Sequence, residues 1–354
     1  MAENTKIEWC DHTFNPWEGC QKVGPGCDHC YAEARDQRFT GGQHWGPGAP
    51  RRRTSPAARL QPLRWNRAAE KAGRRARVFC ASLADVFDNA VPTEWRDDLW
   101  ALISATPHLD WLLLTKRPGN IAAMLPPSGG KGWHNVWLGC TVVNQAEADR
   151  DIPKLLAVPA AVRFLSMEPL LGPVDLEPWL PWPCGGDDLP DGRPFGCYEC
   201  EIGDCQNCPK IRAHYWCEEG PRGDDGCPAW IAHGRTTLDW VIVGGESGPN
   251  ARPMHPDWAR SIRDQCQAAE VPFLFKQWGE WETSLDRDRD DPDWRADYSR
   301  NYVDRGKSRW LNLAGGQGFH GDRFHVMRRV GKRAAGRLLD GREWTEFPNA
   351  EATP

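Results

Sequence analysis

Residues 111–118 read WLLLTKRP: a tryptophan and three leucines in a row, then a threonine, two cations and a proline. An apolar run this short, with no polar residue alternating through it, reads as a strand covered on both faces, the situation of a parallel sheet. Its polar end marks where the chain leaves the sheet. Five more stretches share the pattern: 78–82 (VFCAS), 136–141 (VWLGCT), 163–167 (RFLSM), 240–244 (WVIVG) and 272–276 (PFLFK), with a candidate seventh at 7–10. Helical patterns lie between them. Thr93 can cap a helix over 94–105 that places Trp95, Leu99, Leu102 and Ile103 on one face, and Asp257 can cap another carrying Trp258, Ile262 and Cys266. Strand and helix in alternation, joined by right-handed crossovers, predict an α/β fold: a partial or complete (β/α) barrel first, an open doubly wound sheet second.

Two regions interrupt the rhythm. Residues 182–235, rich in Cys, Gly, Pro and Asp, read as an insertion, and residues 282–320 as an irregular polar excursion. A helix is expected over 328–340, with Val330, Ala334 and Leu338 inward and Gly341 ending it. The organisation is therefore a barrel built from 1–181 and 236–354, divided by the insertion at 182–235.

The chain has 354 residues, 40% of them hydrophobic, enough for a true core. No apolar run approaches the roughly 20 residues of a membrane-spanning helix. Residues 1–9 carry Glu3 and Glu8 and no apolar stretch, unlike a secretion signal, so a cytoplasmic protein is expected. In that compartment thiols stay reduced, and the 14 cysteines are read as metal ligands before disulfides. Most of the 20 tryptophans serve packing, as for Trp95, Trp100, Trp111 and Trp258, and a minority are candidates for stacking on bases or ligand rings. The net charge of −5 predicts no general affinity for nucleic acid. From 51 to 77, however, ten basic residues meet one acid, Glu70, and a second basic cluster spans 328–337. Such segregation suits a phosphate-bearing substrate, or else a solvated helix surface.

The strongest chemical signal is Cys20-x6-Cys27-x2-Cys30-Tyr31, placed after the first candidate strand and before a helical stretch at 31–39. Gly19, Gly24, Pro25 and Gly26 let the loop bend so that three thiolates converge. Three cysteines suit a [4Fe–4S] cluster with one iron open to a further ligand. A zinc site completed by His12 or His29 is the alternative, and a set of free buried thiols the third reading. In the insertion, Cys197-x2-Cys200-x4-Cys205-x2-Cys208 can form a tetrathiolate site for zinc or a second iron–sulfur cluster, with Cys184, Cys217 and Cys227 nearby.

Several strand ends carry polar residues that a barrel would aim at one mouth. Lys116 and Arg117 are candidate holders of a phosphate or carboxylate, as is Lys276. Asp85 and Gln277 lie at two further ends. Gly244 and Gly245 permit close backbone approach, and Glu246 can bind an ammonium or ribose hydroxyls, or sit solvated after a tight turn. Ser166 and Glu168 are second candidates for such contacts.

The segments TKIEW (5–9), HTFNPWEGC (12–20), GCDHCYAE (26–33), TKRP (115–118), LSMEPL (165–170), WVIVGGESG (240–248) and FKQWG (275–279), with residues 330–348, occur in an order that resembles the phage and prophage three-Cys-motif proteins, a family named after phage gene products thirty-seven and sixty-eight. That family is similar to radical-SAM enzymes. The resemblance implies a [4Fe–4S] cluster on Cys20, Cys27 and Cys30 beside Tyr31, and S-adenosylmethionine (SAM) held on the cluster's open iron. It further implies SAM contacts from Gly244, Gly245 and Glu246, with Ser166 and Glu168 as second candidates by their strand-end position, and a 5′-deoxyadenosyl radical, which the basic tract at 51–77 and the phage association direct to a nucleic acid, nucleotide or other phosphorylated substrate. An electron donor of flavodoxin or ferredoxin type, and a phage- or prophage-encoded protein of a bacterial cytoplasm, follow from it as well. The six residues between the first two cysteines depart from the commonest radical-SAM spacing of three, and no catalytic residue is singled out. Competing functions are a metal-stabilised nucleic-acid-binding protein without catalysis, and a cysteine-ligated zinc hydrolase using Glu168 or Glu246 as base.

Overall fold

The expected alternation is present in the computed structural model of the chain, which describes residues 2–126, 133–181, 237–287, 307–316 and 324–348. In chain order the strands are β1 (Ala2–Glu3), β2 (His12–Phe14), β3 (Trp17–Glu18), β4 (Arg52–Arg53), β5 (Ala76–Cys80), β6 (Leu109–Thr115), β7 (Val136–Thr141), β8 (Val162–Met167), β9 (Trp240–Gly244), β10 (Phe273–Gln277), β11 (Trp281–Arg287), β12 (Ser308–Asn312) and β13 (Phe324–Arg329). The main sheet runs β1-β2-β5-β6-β7-β8-β9-β10. Strands β2, β5, β6, β7, β8, β9 and β10 are parallel neighbours in that order, β1 lies antiparallel on the outer edge of β2, and β3 and β4 pair antiparallel apart from this sheet. Each parallel strand pairs with the next one in sequence, so every crossover steps the same way. A doubly wound sheet reverses its strand order at a switch point, and this one does not. The topology is that of a barrel.

The sheet curls without closing, since its order ends at β1 on one side and β10 on the other. Trp9 shows the curl. Its ring lies 4.4 Å from Phe79 on β5, 6.4 Å from Phe164 on β8 and 6.5 Å from Trp240 on β9, centroid to centroid. One side chain reaches strands that far apart in the order only across a concave face. Residues paired in parallel register share a face, so Phe79, Leu112, Trp137 and Val162 line the lumen together, and Ile242 beside Leu274 extends it. The alternate residues, among them Val78, Leu113, Leu138, Leu165, Val241 and Phe273, pack outward into the larger core under the helices. Gly139 has no side chain because the Phe164 ring fills its space: a Cβ there would stand 2.4 Å from the ring.

Beyond β10, the chain's last described segment returns along that strand. Phe275 N–H donates to Trp344 O at 3.0 Å, Phe347 packs on Trp240 at 5.3 Å, and the Arg77 guanidinium from β5 lies over the Phe347 ring.

The helices that cover the sheet include Tyr31–Thr40, Gln61–Ala72, Thr93–Ser104, Gln145–Leu156 and Pro256–Ala268. Leu99, Ile103, Trp258, Ile262 and Cys266 are buried, as their spacing predicts. The caps differ by a residue or two. Pro92, not Thr93, holds the cap position of one helix, and His255, not Asp257, caps another, its Nδ1 accepting from Asp257 N–H at 3.1 Å.

Three expectations are corrected. The first parallel strand is 12–14 rather than 7–10, because Cys10 N–H closes a turn on Ile7 O and carries Trp9 into the lumen. Within 282–320 the described residues are not irregular: β11 and β12 flank β13 in an antiparallel sheet, with Trp281 opposite Arg329 and Leu311 opposite His325. The helix over 328–340 is also absent. Strand β13 continues through Arg329, and Gly331 (φ 89°) and Gly336 (φ 72°) confine the helix to Lys332–Ala335, leaving Ala334 and Leu338 exposed. The insertion at 182–235, with Cys197, Cys200, Cys205 and Cys208, lies outside the described residues.

Candidate active site at the barrel mouth

The C-terminal ends of the parallel strands enclose a cavity of about 530 Å³. Every one of those strands, or the loop after it, contributes: Thr13 and the cysteine loop from β2, Ser82 and Asp85 from β5, Lys116 and Arg117 from β6, Thr141 from β7, Ser166 and Glu168 from β8, Glu246 from β9, and Lys276 from β10. Residues 5–9, Phe79 and Leu114 also line it. The residues expected at a single mouth do share it, and Cys20, Cys27, Cys30 and Tyr31 are among them.

The cysteine loop is fixed by its backbone and by two arginines. Gly19 takes φ 107° and lies against His44, with a virtual Cβ 2.4 Å from His44 O. Gly26 rests on Val143 after β7, where a Cβ would come within 2.9 Å of Cγ1. A short turn at Pro25–Cys27 follows, and Cys30 then occupies the cap position of the helix Tyr31–Thr40. Tyr31 donates its hydroxyl to Ser82 O across the mouth.

Arg117 holds the loop's start. Its guanidinium donates to Cys20 Sγ at 3.4 Å, to Gln21 O at 3.0 Å and to Asp85 Oδ2 at 2.9 Å. Asp85 in turn accepts from the Thr115 hydroxyl at 2.8 Å and from Phe87 N–H at 2.9 Å. Behind it, Asp88 pairs with the buried Arg51 at 2.7 Å. Burial works against the Arg117 charge, yet Asp85 and Cys20 more than offset it and raise its pKa.

The thiols answer to the same environment. Burial, then Asp85, pushes Cys20 up to about 11, with Arg117 opposing. Burial likewise raises Cys30, against the pull of the Glu33 and Ala32 N–H groups at the helix start. A metal ligand must be a thiolate, so donors already aimed at two of the three sulfurs suit a ligand set.

A tetrahedral zinc site, with metal–sulfur bonds of about 2.3 Å, needs its sulfurs about 4 Å apart. Among the described residues, the His/Cys/Asp/Glu trio whose ligand atoms gather within 4.8 Å is His255, Asp257 and His325, not the cysteines. In that trio, His255 Nδ1 accepts a backbone N–H, which keeps its proton on Nε2 and disfavours ligation there. The histidines considered as fourth ligands to the cysteines are engaged elsewhere: His12 stacks on Trp65 at 4.5 Å, and His29 Nδ1 meets Glu246 Oε2 at 3.0 Å. The three cysteine sulfurs do not gather within 4.8 Å of one another, wider than a tetrahedral zinc site holds them.

Glu246 is enclosed by protein. Arg252 donates to Oε2 from its backbone N–H at 2.8 Å and from Nε at 2.9 Å, and to Oε1 from Nη2 at 2.7 Å. Burial alone would raise the Glu246 pKa, but the Arg252 and His29 hydrogen bonds reverse the sign and lower it. Gly245 lies flat on the β10 loop, where a Cβ would stand 2.0 Å from Trp278 O, and Gly244 lies close to Glu168.

Lys276 forms an ion pair with Glu168 Oε2, while Glu168 Oε1 is buried with no hydrogen-bond partner among the described residues. Lys116 reaches Thr141 Oγ1 at 3.3 Å. Much of the basic tract at 51–77 is internally neutralised: Arg51 pairs with Asp88, Arg52 with Glu18, Arg53 with Asp98, Arg64 with Glu3, Arg74 with Asp11 and Arg75 with Asp110. The tract therefore builds the fold more than it offers a phosphate-binding face. Sequence reading did not identify Arg252, whose partners Asp28 and Pro25 lie 224 and 227 residues away.

Fold and site together define the class, a partial (β/α) barrel whose strand ends surround a cavity fronted by three thiols. The chain belongs to the family described as a protein of unknown function, DUF5131, with a match over residues 4–348. No curated protein matches it. Among solved structures it is similar to a single-site variant of spore photoproduct lyase, at 13% identity over 92% of this chain and 71% of that one, with a TM-score of 0.34. It is similar also to a doubly substituted form of that enzyme with bound AdoMet and dinucleoside spore photoproduct (13% identity, 90% and 69% coverage, TM-score 0.34). A third is spore photoproduct lyase complexed with dinucleoside spore photoproduct (15% identity, 88% and 67% coverage, TM-score 0.31). These likenesses are distant. No helix among the described residues is long and apolar enough to cross a membrane.

Proposed function

We propose that the protein is a radical-SAM-like iron–sulfur enzyme acting on a nucleic acid, nucleotide or other phosphorylated substrate. The observation that carries this reading is the position of Cys20, Cys27 and Cys30 on the rim of the strand-end cavity, with an arginine donor already on one sulfur. These residues would hold a [4Fe–4S] cluster, whose chemistry with SAM is reductive cleavage of the sulfonium to a 5′-deoxyadenosyl radical. Arg117 and the N–H groups at the start of the helix Tyr31–Thr40 favour the thiolates as ligands. Glu168 Oε1, buried and awaiting a donor, and Ser166 beside it suit the ammonium of SAM. Around the same cavity Lys6, Lys116 and Lys332 have no carboxylate partner among the described residues, which suits an anionic substrate. The apolar floor of Trp9, Phe79 and Leu114 would exclude water from the reacting atoms.

Within this reading, electrons come from a flavodoxin- or ferredoxin-type donor, and Cys197, Cys200, Cys205 and Cys208 hold zinc or a second cluster. Anaerobic reconstitution tests it. The expected product is a brown protein absorbing near ~400 nm that, once reduced, turns SAM into 5′-deoxyadenosine. Cys27→Ala should abolish both properties while leaving any metal held by the insertion. A protein that stays colourless after reconstitution and releases no 5′-deoxyadenosine would rule the reading out.

A further inference from the structure

Glu246 stands where a carboxylate at a strand end invites a ligand ammonium, but its surroundings leave little room for one. An ionised carboxylate accepts about four hydrogen bonds. Glu246 is offered four by protein: the Arg252 backbone N–H, Arg252 Nε, Arg252 Nη2 and the His29 ring nitrogen, all between 2.7 and 3.0 Å. Its side chain is 5% exposed. The groups on the far side of Arg252 belong to the cysteine loop: Nη2 also donates to Pro25 O and Nη1 to Asp28 Oδ2, each at 2.9 Å. His29, which meets Glu246 directly, is in the same loop. Three contacts of this cluster, His29 to Glu246 and Arg252 to Pro25 O and Asp28 Oδ2, join the loop after β9 to residues 25–29, the segment that carries Cys27 and precedes Cys30.

We infer that Glu246 and Arg252 are positioning residues for the cysteine loop, a latch that fastens Cys27 and Cys30 to the barrel rim, and not ligands of SAM or substrate. The inference rests on the reading that these cysteines hold a cluster only for its catalytic consequence, because the latch itself is visible in the protein alone. The loop is held at two points. Arg117, just past the end of β6, secures Cys20 and Gln21, and Arg252 secures the segment that follows. A planar guanidinium with several fixed donors can join two backbone segments and a carboxylate at once; an ammonium on a flexible stem cannot reproduce that fork.

The test uses the metal-free full chain first. Iodoacetamide alkylation followed by mass spectrometry reports the accessibility of each thiol. Asp28→Asn loosens only the loop side of the latch at a half-exposed residue and is the mildest variant; Arg252→Gln and Glu246→Gln remove its centre. We expect Cys27 and Cys30 to react about tenfold faster in the latter two, with Cys20 unchanged, and Arg252→Lys to restore little of the protection. The double variant should be no more reactive than either single one, since both break one unit. Equal alkylation rates at Cys27 and Cys30 in all variants would overturn the latch.

The reconstituted protein separates this from the alternative role. A latch predicts lower iron retention in Glu246→Gln with the KM for SAM within about twofold of the parent; a tenfold rise in KM at full iron content would make Glu246 a SAM ligand and refute the inference. Should the parent protein take up no iron, the function proposed above fails while the alkylation result still decides the latch.

Discussion

Arg117→Met removes the cation from a pair whose side chains are only 8% and 5% exposed. Deleting one partner of a buried ion pair costs about 3–5 kcal/mol, because the other charge remains in a poorly solvating site. Asp85 would keep the Thr115 hydroxyl and the N–H groups of Phe87 and Lys116, so the low end of that range, about 3 kcal/mol, applies. For a chain of this size a loss of 1 kcal/mol lowers the melting temperature by about 2 °C, which gives a fall of roughly 6 °C. Circular dichroism melting of the metal-free protein measures it. The companion variant Asp85→Asn/Arg117→Met should recover at least half of the loss, since the amide no longer brings an uncompensated charge. A melting temperature within 1–2 °C of the parent for Arg117→Met would refute the reasoning, as would a double variant that loses the sum of the single effects.

Gly139→Ala should overpack the lumen, with a Cβ 2.4 Å from the Phe164 ring, and lower the denaturation midpoint by the equivalent of about 1–3 kcal/mol; pairing it with Phe164→Leu should relieve the strain, and an unchanged midpoint would contradict the packing described. In the metal-free protein the Cys20 thiol, pushed up to about 11 by burial and Asp85, should be alkylated at a rate that keeps climbing to about pH 11, whereas a levelling near pH 9 would show an unperturbed thiol. The sign for stability follows from tighter proton binding in the folded state: this contribution is complete below about pH 9 and is lost as the pH rises towards 11.

The parallel strands were legible because burial on both faces demands continuous apolar runs, and 78–82, 111–115, 136–141, 163–167, 240–244 and 272–276 each lie within two residues of the strand found. The direction of winding was not: a barrel and a doubly wound sheet use the same runs, and only pairing order separates them. The stretch 328–340 was misread as one helix because Val330, Ala334 and Leu338 repeat at helical spacing, while Gly331 and Gly336, which bound the short helix, act through backbone angles the spacing does not record. In the site, the three cysteines announced themselves by clustering in sequence. Asp85 and Glu246 were visible as strand-end carboxylates, but what they bind was not, since Arg117 meets Asp85 only once β5 and β6 pair, and Arg252 reaches Glu246 only by the fold of the loop after β9.

Trp9, wedged among Phe79, Phe164 and Trp240, stoppers the lumen beneath the cavity. Anything seated deep in that chamber therefore rests on aromatic faces, while the thiols meet it from the rim above.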